Sequence, residues 1–340
     1  MLYIEKAQNM TSVKKKTMDS QQTHRIARNE GIPFNTAFFD HLHVNKSAVE
    51  RRAATLPGRR TVKKEWQAAW LLKAISCMDL TTLAGDDTEA NVTRLCAKAR
   101  SPVRMDLLEA LDMADANLHT GAVCVYHNLI PFAKAALEGS NIPIAAVSTG
   151  FPAGKISFEE KIREIELSVA AGATEIDIVI SRDLVIESKW EALYEEVAAC
   201  RRACGEAHMK TILATGEIPT YTKVAKASWV SMMAGSDFIK TSTGKESVNA
   251  TLPVSLVMVR AIRAYHALTG FKVGFKPAGG IQKAKQALDW LILMKEELGD
   301  EWLHPELFRF GASSLLGDIE RQLEHFVTGR YSAGYRHPMA

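Results

Sequence analysis

Two lysines end short apolar segments of this sequence, at positions where a strand would be buried. Lys240 closes FIK at the start of FIKTSTGK (238–245), and Lys276 closes VGFK (273–276). Burying an unpaired ammonium group is costly, so such a group is neutralised or finds a partner. Two ammonium groups about 4 Å apart repel by about 4 kcal/mol at an effective dielectric constant of about 20, which lowers the pKa of one of them. Because only a neutral amine attacks a carbonyl carbon, the pair predicts a Schiff-base lysine.

Two carboxylates also stand near strand ends. Asp177 lies among isoleucines in EIDIVI (175–180), and Asp79 lies near the end of AISCMDL (74–80). Side chains alternate between the two faces of a strand, so the isoleucines face the outer helices and Asp177 points the other way. An inward carboxylate needs a partner, which is either a structural salt bridge or the lysine pair. The coincidence of Asp177 with the two lysines favours a catalytic set.

Three loops after predicted strands read TSTGK, PAGG and GASS. Their glycines let backbone N–H groups approach a ligand, their hydroxyls donate hydrogen bonds, and a lysine adds a positive charge. TGK is not a Walker A loop, because Glu246 follows where Ser or Thr is needed and Ile239 replaces the first glycine. The loops therefore predict a phosphate site without nucleotide hydrolysis. Its candidate residues are Gly244, Lys245, Gly279, Gly280, Ser313 and Ser314.

Strand-like and helix-like segments alternate from about residue 61 onward. Eight such units over about 270 residues predict a parallel sheet closed into an α/β fold of the (β/α)8, or TIM-barrel, type. A doubly wound open sheet is the alternative, but the G-x-G-x-x-G fingerprint is missing after the first strand. The strand ends of a barrel share one mouth, so the lysines, aspartates and loops are expected to meet there.

The predicted strands are 74–80, 122–126, 143–148, 175–180, 210–214, 238–242, 273–276 and 307–311. The predicted helices between and after them are 88–100, 129–138, 157–171, 189–207, 220–234, 252–268, 283–298 and 315–328. An amphipathic helix (62–73) is predicted ahead of the first strand.

The sequence predicts two regions. Residues 1–60 contain eleven Lys or Arg and five Asp or Glu, so they form a basic N-terminal extension, expected to be solvated and partly disordered. Residues 61–340 form the barrel with a short C-terminal tail. The cations of the extension are dispersed and lack interleaved aromatic residues, which argues against nucleic-acid binding. Acidic residues among its first twenty positions argue against a mitochondrial presequence.

Composition argues against several other classes of protein. No apolar run approaches the roughly 20 residues of a membrane span, so no membrane association is expected. Five scattered cysteines are too few for a disulfide framework, and a reducing cytoplasm is the expected location. Cys200, Cys204 and His208 have helical spacing, but the outer two would lie about 12 Å apart on a helix and could not share an ion. No metal site is expected.

Seven motifs occur in a characteristic order, namely SCMDLTTL, AVCVY, ATEIDIVI, FIKTSTGK, VNAT, VGFKPAGGI and FRFGASSLL. Together they resemble the deoxyribose-phosphate aldolase family over residues 59–331, and RRTVKKEWQAAWLLKA resembles its animal form. The resemblance implies a class I aldolase barrel, without metal or other cofactor. Such an enzyme reversibly cleaves the phosphorylated sugar 2-deoxy-D-ribose 5-phosphate into acetaldehyde and D-glyceraldehyde 3-phosphate, in deoxyribose phosphate catabolism.

The resemblance also implies roles for the candidate residues. Lys240 is the expected Schiff-base lysine, Lys276 the neighbour that lowers its pKa, and Asp177 their partner in proton transfer. Asp79 and Thr81 are expected to hold substrate hydroxyls, and the loop residues named above to bind the phosphate.

The chain departs from the family pattern in two places. His127 follows Tyr126 where many members have proline, and the chain ends in RHPMA, with Tyr331 and Tyr335 further back than the terminal tyrosine of many bacterial members. Two alternatives stay open, which are another Schiff-base lyase for a phosphorylated sugar and an interaction protein that binds through residues 1–60. The oligomeric state is also open, a homo-oligomer included.

Overall fold

The computed structural model of the protein describes residues 26–337. Within them, eight parallel strands form one sheet in the order β7-β6-β5-β4-β3-β2-β1-β8. The two end strands also meet, since the Phe275 amide donates to the Leu307 carbonyl at 2.9 Å and the Arg309 amide to the Phe275 carbonyl at 3.1 Å. The predicted barrel is thereby confirmed. Its strands are β1 (Met78–Thr81), β2 (Ala122–Val125), β3 (Ile144–Ser148), β4 (Glu175–Val179), β5 (His208–Ile212), β6 (Phe238–Lys240), β7 (Gly274–Lys276) and β8 (Phe310–Ala312).

Helices cover the outside of the sheet. Several begin at polar caps; for example, the Ser157 and Thr251 side chains accept from backbone amides of the first turn. The helices are α1 (Lys46–Thr55), α2 (Lys64–Ser76), α3 (Glu89–Arg100), α4 (Met105–Ala110), α5 (Ile130–Ala136), α6 (Phe158–Ala171), α7 (Arg182–Ile186), α8 (Trp190–Cys204), α9 (Tyr221–Met233), α10 (Leu252–Thr269), α11 (Ala284–Glu297) and α12 (Leu315–Thr328). No helix within residues 26–337 is long and apolar enough to cross a membrane.

The first predicted strand, 74–80, was wrong in its first half. Ala74 and Ile75 belong to the last turn of α2, and β1 starts only at Met78. Both residues are buried on the same helix face as Leu71, so the apolar period of the helix continues through them. A short apolar run fits a buried helix turn as well as a strand, and here the preceding helical residues decide.

Part of the basic extension packs against the barrel. The Asn29 side-chain amide is buried and donates to the carbonyls of Met232 at 2.7 Å and Ser236 at 2.9 Å. Further along, α1 packs against α10. Contacts from residues 26–60 thus reach the outside of the barrel, whereas the rest of the extension that was predicted to be partly disordered, residues 1–25, lies outside the described residues.

Candidate active site

Backbone register brings the two lysines side by side. In the ladder between β6 and β7, Lys240 pairs with Lys276 and Phe238 pairs with Gly274. Both lysines point into the barrel, where they meet Asp177. A Cβ atom at position 274 would come within 2.4 Å of the Phe238 ring, so only glycine leaves room for it. The inward-facing Phe238 ring is therefore accommodated by this glycine.

A single carboxylate oxygen joins the lysines. Asp177 Oδ2 accepts hydrogen bonds from Lys240 Nζ and from Lys276 Nζ, each at 2.8 Å. The Lys276 ammonium also donates to Asp79 Oδ2 at 2.5 Å. All four side chains are almost fully removed from solvent. The four residues predicted to end the inward faces of β1, β4, β6 and β7 therefore form one cluster.

The pKa values of the two lysines are shifted in opposite directions. Burial lowers the pKa of Lys240 most, Asp177 opposes this, and the charge on Lys276 adds to the lowering; the net pKa lies below the ordinary value of lysine. Burial also lowers the pKa of Lys276, but Asp177 and Asp79 outweigh it and the net pKa is raised. Lys276 thus keeps its proton while Lys240 gives its proton up more readily. The sequence predicted both a cost of burial and repulsion by Lys276, and burial is the larger of the two causes.

The carboxylate partner stays ionised. Burial alone would raise the pKa of Asp177, but Lys210, followed by Lys240 and Lys276, holds it well below the usual range of a carboxyl group. A carboxylate that accepts hydrogen bonds from both lysines can take a proton from a substrate hydroxyl, directly or through one water, and pass it on.

Three charged side chains in the barrel interior were missed from sequence. Lys210 on β5 donates to Asp177 Oδ1 at 3.1 Å and to the Glu175 carboxylate, and Arg309, just before β8, donates to Asp79 Oδ1 at 2.6 Å. Strand parity could have found them. Glu175 lies two residues before Asp177 and Arg309 two before Gly311, so each shares an inward face, and Lys210 is the register partner of Asp177.

The opposite half of the interior is apolar. Cys124 on β2 packs with Ala145 and Val147 on β3, and Tyr126 and Phe151 cover this group. Burial raises the pKa of the Cys124 thiol, so it stays neutral beside the charged groups. An apolar wall keeps water from the lysines and strengthens the charge interactions inside the site.

The glycine loops converge above the lysines. A Cβ atom on Gly244 would lie 4.0 Å from the Cα atom of Gly279, so the loops after β6 and β7 touch. Gly279 has a φ of +80° and faces the Asn249 side chain, at 2.6 Å from where a Cβ would be. Strand β8 lies beside the loop after β7, because the Gly311 amide donates to the Pro277 carbonyl at 2.9 Å. The same loops expose Lys245, Gly280, Ser313 and Ser314.

Two predicted donors are already engaged. The Gly244 amide donates to the Glu246 carboxylate at 3.1 Å, and the Thr243 amide does so at 3.0 Å. The Thr81 hydroxyl donates to the Asp79 carbonyl of its own strand at 2.7 Å. A phosphate that used the Gly244 amide would have to displace Glu246.

Neither tyrosine near the C terminus reaches the lysines. Tyr331 stacks on His325, with ring centroids 4.1 Å apart, at the end of α12 that is distant from the mouth. Tyr335 is 85% exposed. At the other departure from the family pattern, His127 Nδ1 lies 3.0 Å from the Ser168 hydroxyl, which fixes the start of the loop after β2.

Comparisons with known proteins agree on one family. The model of the DeoC/LacD family aldolases matches residues 73–318. Deoxyribose-phosphate aldolase of Homo sapiens is 60% identical over 316 residues, which cover 92% of this chain and 99% of that protein. The Mus musculus protein of the same name is 61% identical over 91% of this chain and 98% of its own.

A solved structure shares the fold. The tetrameric deoxyribose phosphate aldolase from Aeropyrum pernix superposes with a TM-score of 0.56 at 20% identity, over 82% of this chain and 99% of that chain. The family model and the high identity over nearly the whole length, on a barrel whose interior holds a paired lysine cluster, identify this chain as a member of the DeoC/LacD family of aldolases.

Proposed function

We propose that the protein is a deoxyribose-phosphate aldolase that cleaves 2-deoxy-D-ribose 5-phosphate reversibly into D-glyceraldehyde 3-phosphate and acetaldehyde. The contact that carries the proposal is the shared hydrogen bonding of Lys240 and Lys276 to Asp177 Oδ2, at 2.8 Å each, in a buried site. It supplies a nucleophilic amine, a fixed cation and a proton acceptor within reach of one substrate carbon chain. The 60% identity to the Homo sapiens enzyme supports the choice of substrate.

The reaction begins at Lys240. Its neutral amine adds to the C1 aldehyde of the open-chain sugar, and loss of water gives an iminium ion. The iminium accepts the electron pair of the C2–C3 bond as that bond breaks. Asp177, through a water held with Lys276, takes the proton from the 3-hydroxyl, so that C3 leaves as the aldehyde of glyceraldehyde 3-phosphate.

The second half-reaction returns the amine. The enamine left on Lys240 accepts, at its terminal carbon, the proton that Asp177 took from the 3-hydroxyl, again through the water held with Lys276. Water then adds to the resulting iminium, and hydrolysis releases acetaldehyde. Because Lys276 stays charged throughout, it also opposes reprotonation of Lys240 between turnovers.

The nucleophile is tested by trapping. Incubation with deoxyribose 5-phosphate and sodium borohydride is expected to reduce the iminium and leave a stable adduct on Lys240, located by peptide mass spectrometry. The matched control is ribose 5-phosphate, whose 2-hydroxyl distinguishes it, and which is expected to label and turn over far more slowly. An adduct on Lys276, or no adduct, contradicts the assigned nucleophile; equal turnover of both sugars favours another Schiff-base lyase.

Lys245 is proposed to bind the phosphate. It is exposed on the loop between β6 and α10, and its own amide donates to the Thr243 hydroxyl at 3.0 Å. Lys245→Met is expected to raise KM for deoxyribose 5-phosphate about tenfold, because one charge-assisted contact is lost. KM for unphosphorylated deoxyribose should stay unchanged. Lys46→Met removes an exposed lysine on α1 and is the control; an equal rise in KM for both sugars would show that Lys245 acts on the loop rather than on phosphate.

We further propose a cytoplasmic location. All five cysteines are unpaired and buried. Free thiols are typical of proteins in a reducing compartment.

A further inference from the structure

Below the lysines, three charged side chains, Arg309, Lys210 and Glu175, continue the cluster into the barrel, and they are called the charged ladder here. Arg309 donates to Asp79 Oδ1 at 2.6 Å and to Glu175 Oε1 at 2.8 Å. Lys210 donates to Glu175, to Asp177 Oδ1 at 3.1 Å, and lies 3.8 Å from Asp79. Asp177 thus binds both lysines above through Oδ2 and Lys210 below through Oδ1. Asp79 binds Lys276 above through Oδ2 and Arg309 below through Oδ1.

The buried charges do not balance if every group is in its usual state. Three carboxylates face four cationic groups, all of them buried. The members are Asp79, Asp177 and Glu175, and Lys210, Lys240, Lys276 and Arg309. An uncompensated charge in a buried interior is strongly unfavourable, so one cation is expected to lose its proton.

The contacts indicate which cation it is. Arginine does not deprotonate in proteins. Lys210 lies within 4 Å of three carboxylates and Lys276 of two. Within residues 26–337, Lys240 has one carboxylate partner, Asp177, and shares it with Lys276. Lys240 is therefore the weakest-held cation of the cluster.

Two further titratable groups in the described part of the interior carry no charge. Cys124 on β2 is a buried thiol whose pKa is raised by burial. His208, at the start of β5, has its pKa lowered by burial and stays neutral beside Glu175. The inward residues of β3 are Ala145 and Val147. The four cations and three carboxylates therefore determine the charge of the interior.

We propose that Arg309, Lys210 and Glu175 are positioning residues that set the proton count of the site, because their charges leave the Lys240 amine as the group that must be neutral. They do not touch the reacting carbon atoms, and they act through Asp79 and Asp177. The inference rests on the proposed function, in which Lys240 is the nucleophile. It extends the control of that nucleophile from its neighbour Lys276 to groups one and two layers deeper in the barrel.

The proposal is tested with charge changes of opposite sign. Arg309→Met removes a cation, so Lys240 is needed as a counter-charge and its titration should move to higher pH. Glu175→Gln removes an anion, so the titration should move to lower pH. Each shift is expected to be about one pH unit or more, as for charges in a partly screened interior. The double variant restores the balance and should titrate close to the wild-type protein.

The titration of the Lys240 amine is measured in the absence of the sugar substrate. Reductive methylation of Lys240 by formaldehyde and cyanoborohydride, measured by peptide mass spectrometry from pH 6 to pH 11, reports the neutral amine alone. Circular dichroism checks that each variant is folded. Arg201→Met is the matched control, because it removes an arginine that pairs with Asp237 at 2.8 Å outside the barrel interior; its Lys240 midpoint should stay unchanged.

Opposite shifts in the two single variants, reversed in the double variant, support the proposal. Shifts in the same direction, or unchanged midpoints in folded variants, overturn it. If Arg309→Met does not fold, Glu175→Gln decides the outcome alone: a Lys240 midpoint shifted to lower pH supports the proposal, and an unchanged or higher midpoint overturns it. Because methylation needs no aldolase activity, a failed sugar adduct with the expected shifts would reject the proposed function and leave the role of the ladder standing.

Discussion

Lys240→Met is expected to abolish carbon–carbon bond cleavage, with kcat lower by about 10⁵-fold. Methionine has no nucleophile, so neither the iminium nor the enamine can form, and removal of a covalent nucleophile has losses of this order in other enzymes. The measurement is release of glyceraldehyde 3-phosphate, followed with a coupled dehydrogenase. Residual kcat within about 100-fold of the wild-type value would show that another group forms the Schiff base.

The same substitution is expected to leave the fold intact. It replaces the amine that is already neutral in the wild-type cluster, so the three remaining cations and three carboxylates still balance. Methionine also fills a volume similar to that of the lysine stem. The thermal midpoint should therefore be no lower than that of the wild-type protein, which separates a lost nucleophile from a lost structure.

Lys276→Met is expected to lower kcat at pH 7 by about 10³-fold and to move the pH optimum upward. The charge on Lys276 lowers the pKa of Lys240, so its removal raises that pKa. Two cations then face three carboxylates, and a protonated Lys240 supplies the balance. Since the neutral amine is the active form, activity should recover as the pH rises through the new Lys240 pKa. The measurement is kcat and kcat/KM from pH 6 to pH 10.

Lys276→Arg is the matched variant for this experiment. It keeps a cation between Asp79 and Asp177 but changes its shape, so the pH optimum should stay near that of the wild-type enzyme even where kcat falls. A Lys276→Met profile parallel to the wild-type profile, or displaced to lower pH, would contradict the proposed role of the charge.

The barrel and the lysine pair could be predicted from the sequence because they follow from the repeat of apolar residues along each helix and strand. Alternation along EIDIVI predicted that Asp177 points inward, and the same alternation in FIK and VGFK aligned the lysines with Phe238 and Gly274. Each inference needs only the neighbours of a residue along the chain and the rule that parallel strands share a mouth.

The features that escaped prediction depend on distant partners. The position of Asn29 is set by carbonyls more than 200 residues away in sequence, at Met232 and Ser236. The Glu246 carboxylate accepts hydrogen bonds from loop amides that the glycine pattern predicted to bind phosphate. The partners of Arg309 are Asp79 and Glu175, which lie on distant strands and come beside it only in the closed barrel. Pairing across a closed sheet supplies such partners, and no local period encodes them.

Asp79 has a consequence for biosynthesis of the protein. Its carboxylate holds Lys276 of β7 with one oxygen and Arg309, at the entrance to β8, with the other, so it fastens the strands that meet where the sheet closes. β8 is the last strand to leave the ribosome. Before it docks, we expect the interior to be open to water and Lys240 to carry its ordinary charge. It follows that the chain acquires a reactive amine only when its barrel is complete, and a nascent or truncated chain is spared adducts with cellular aldehydes.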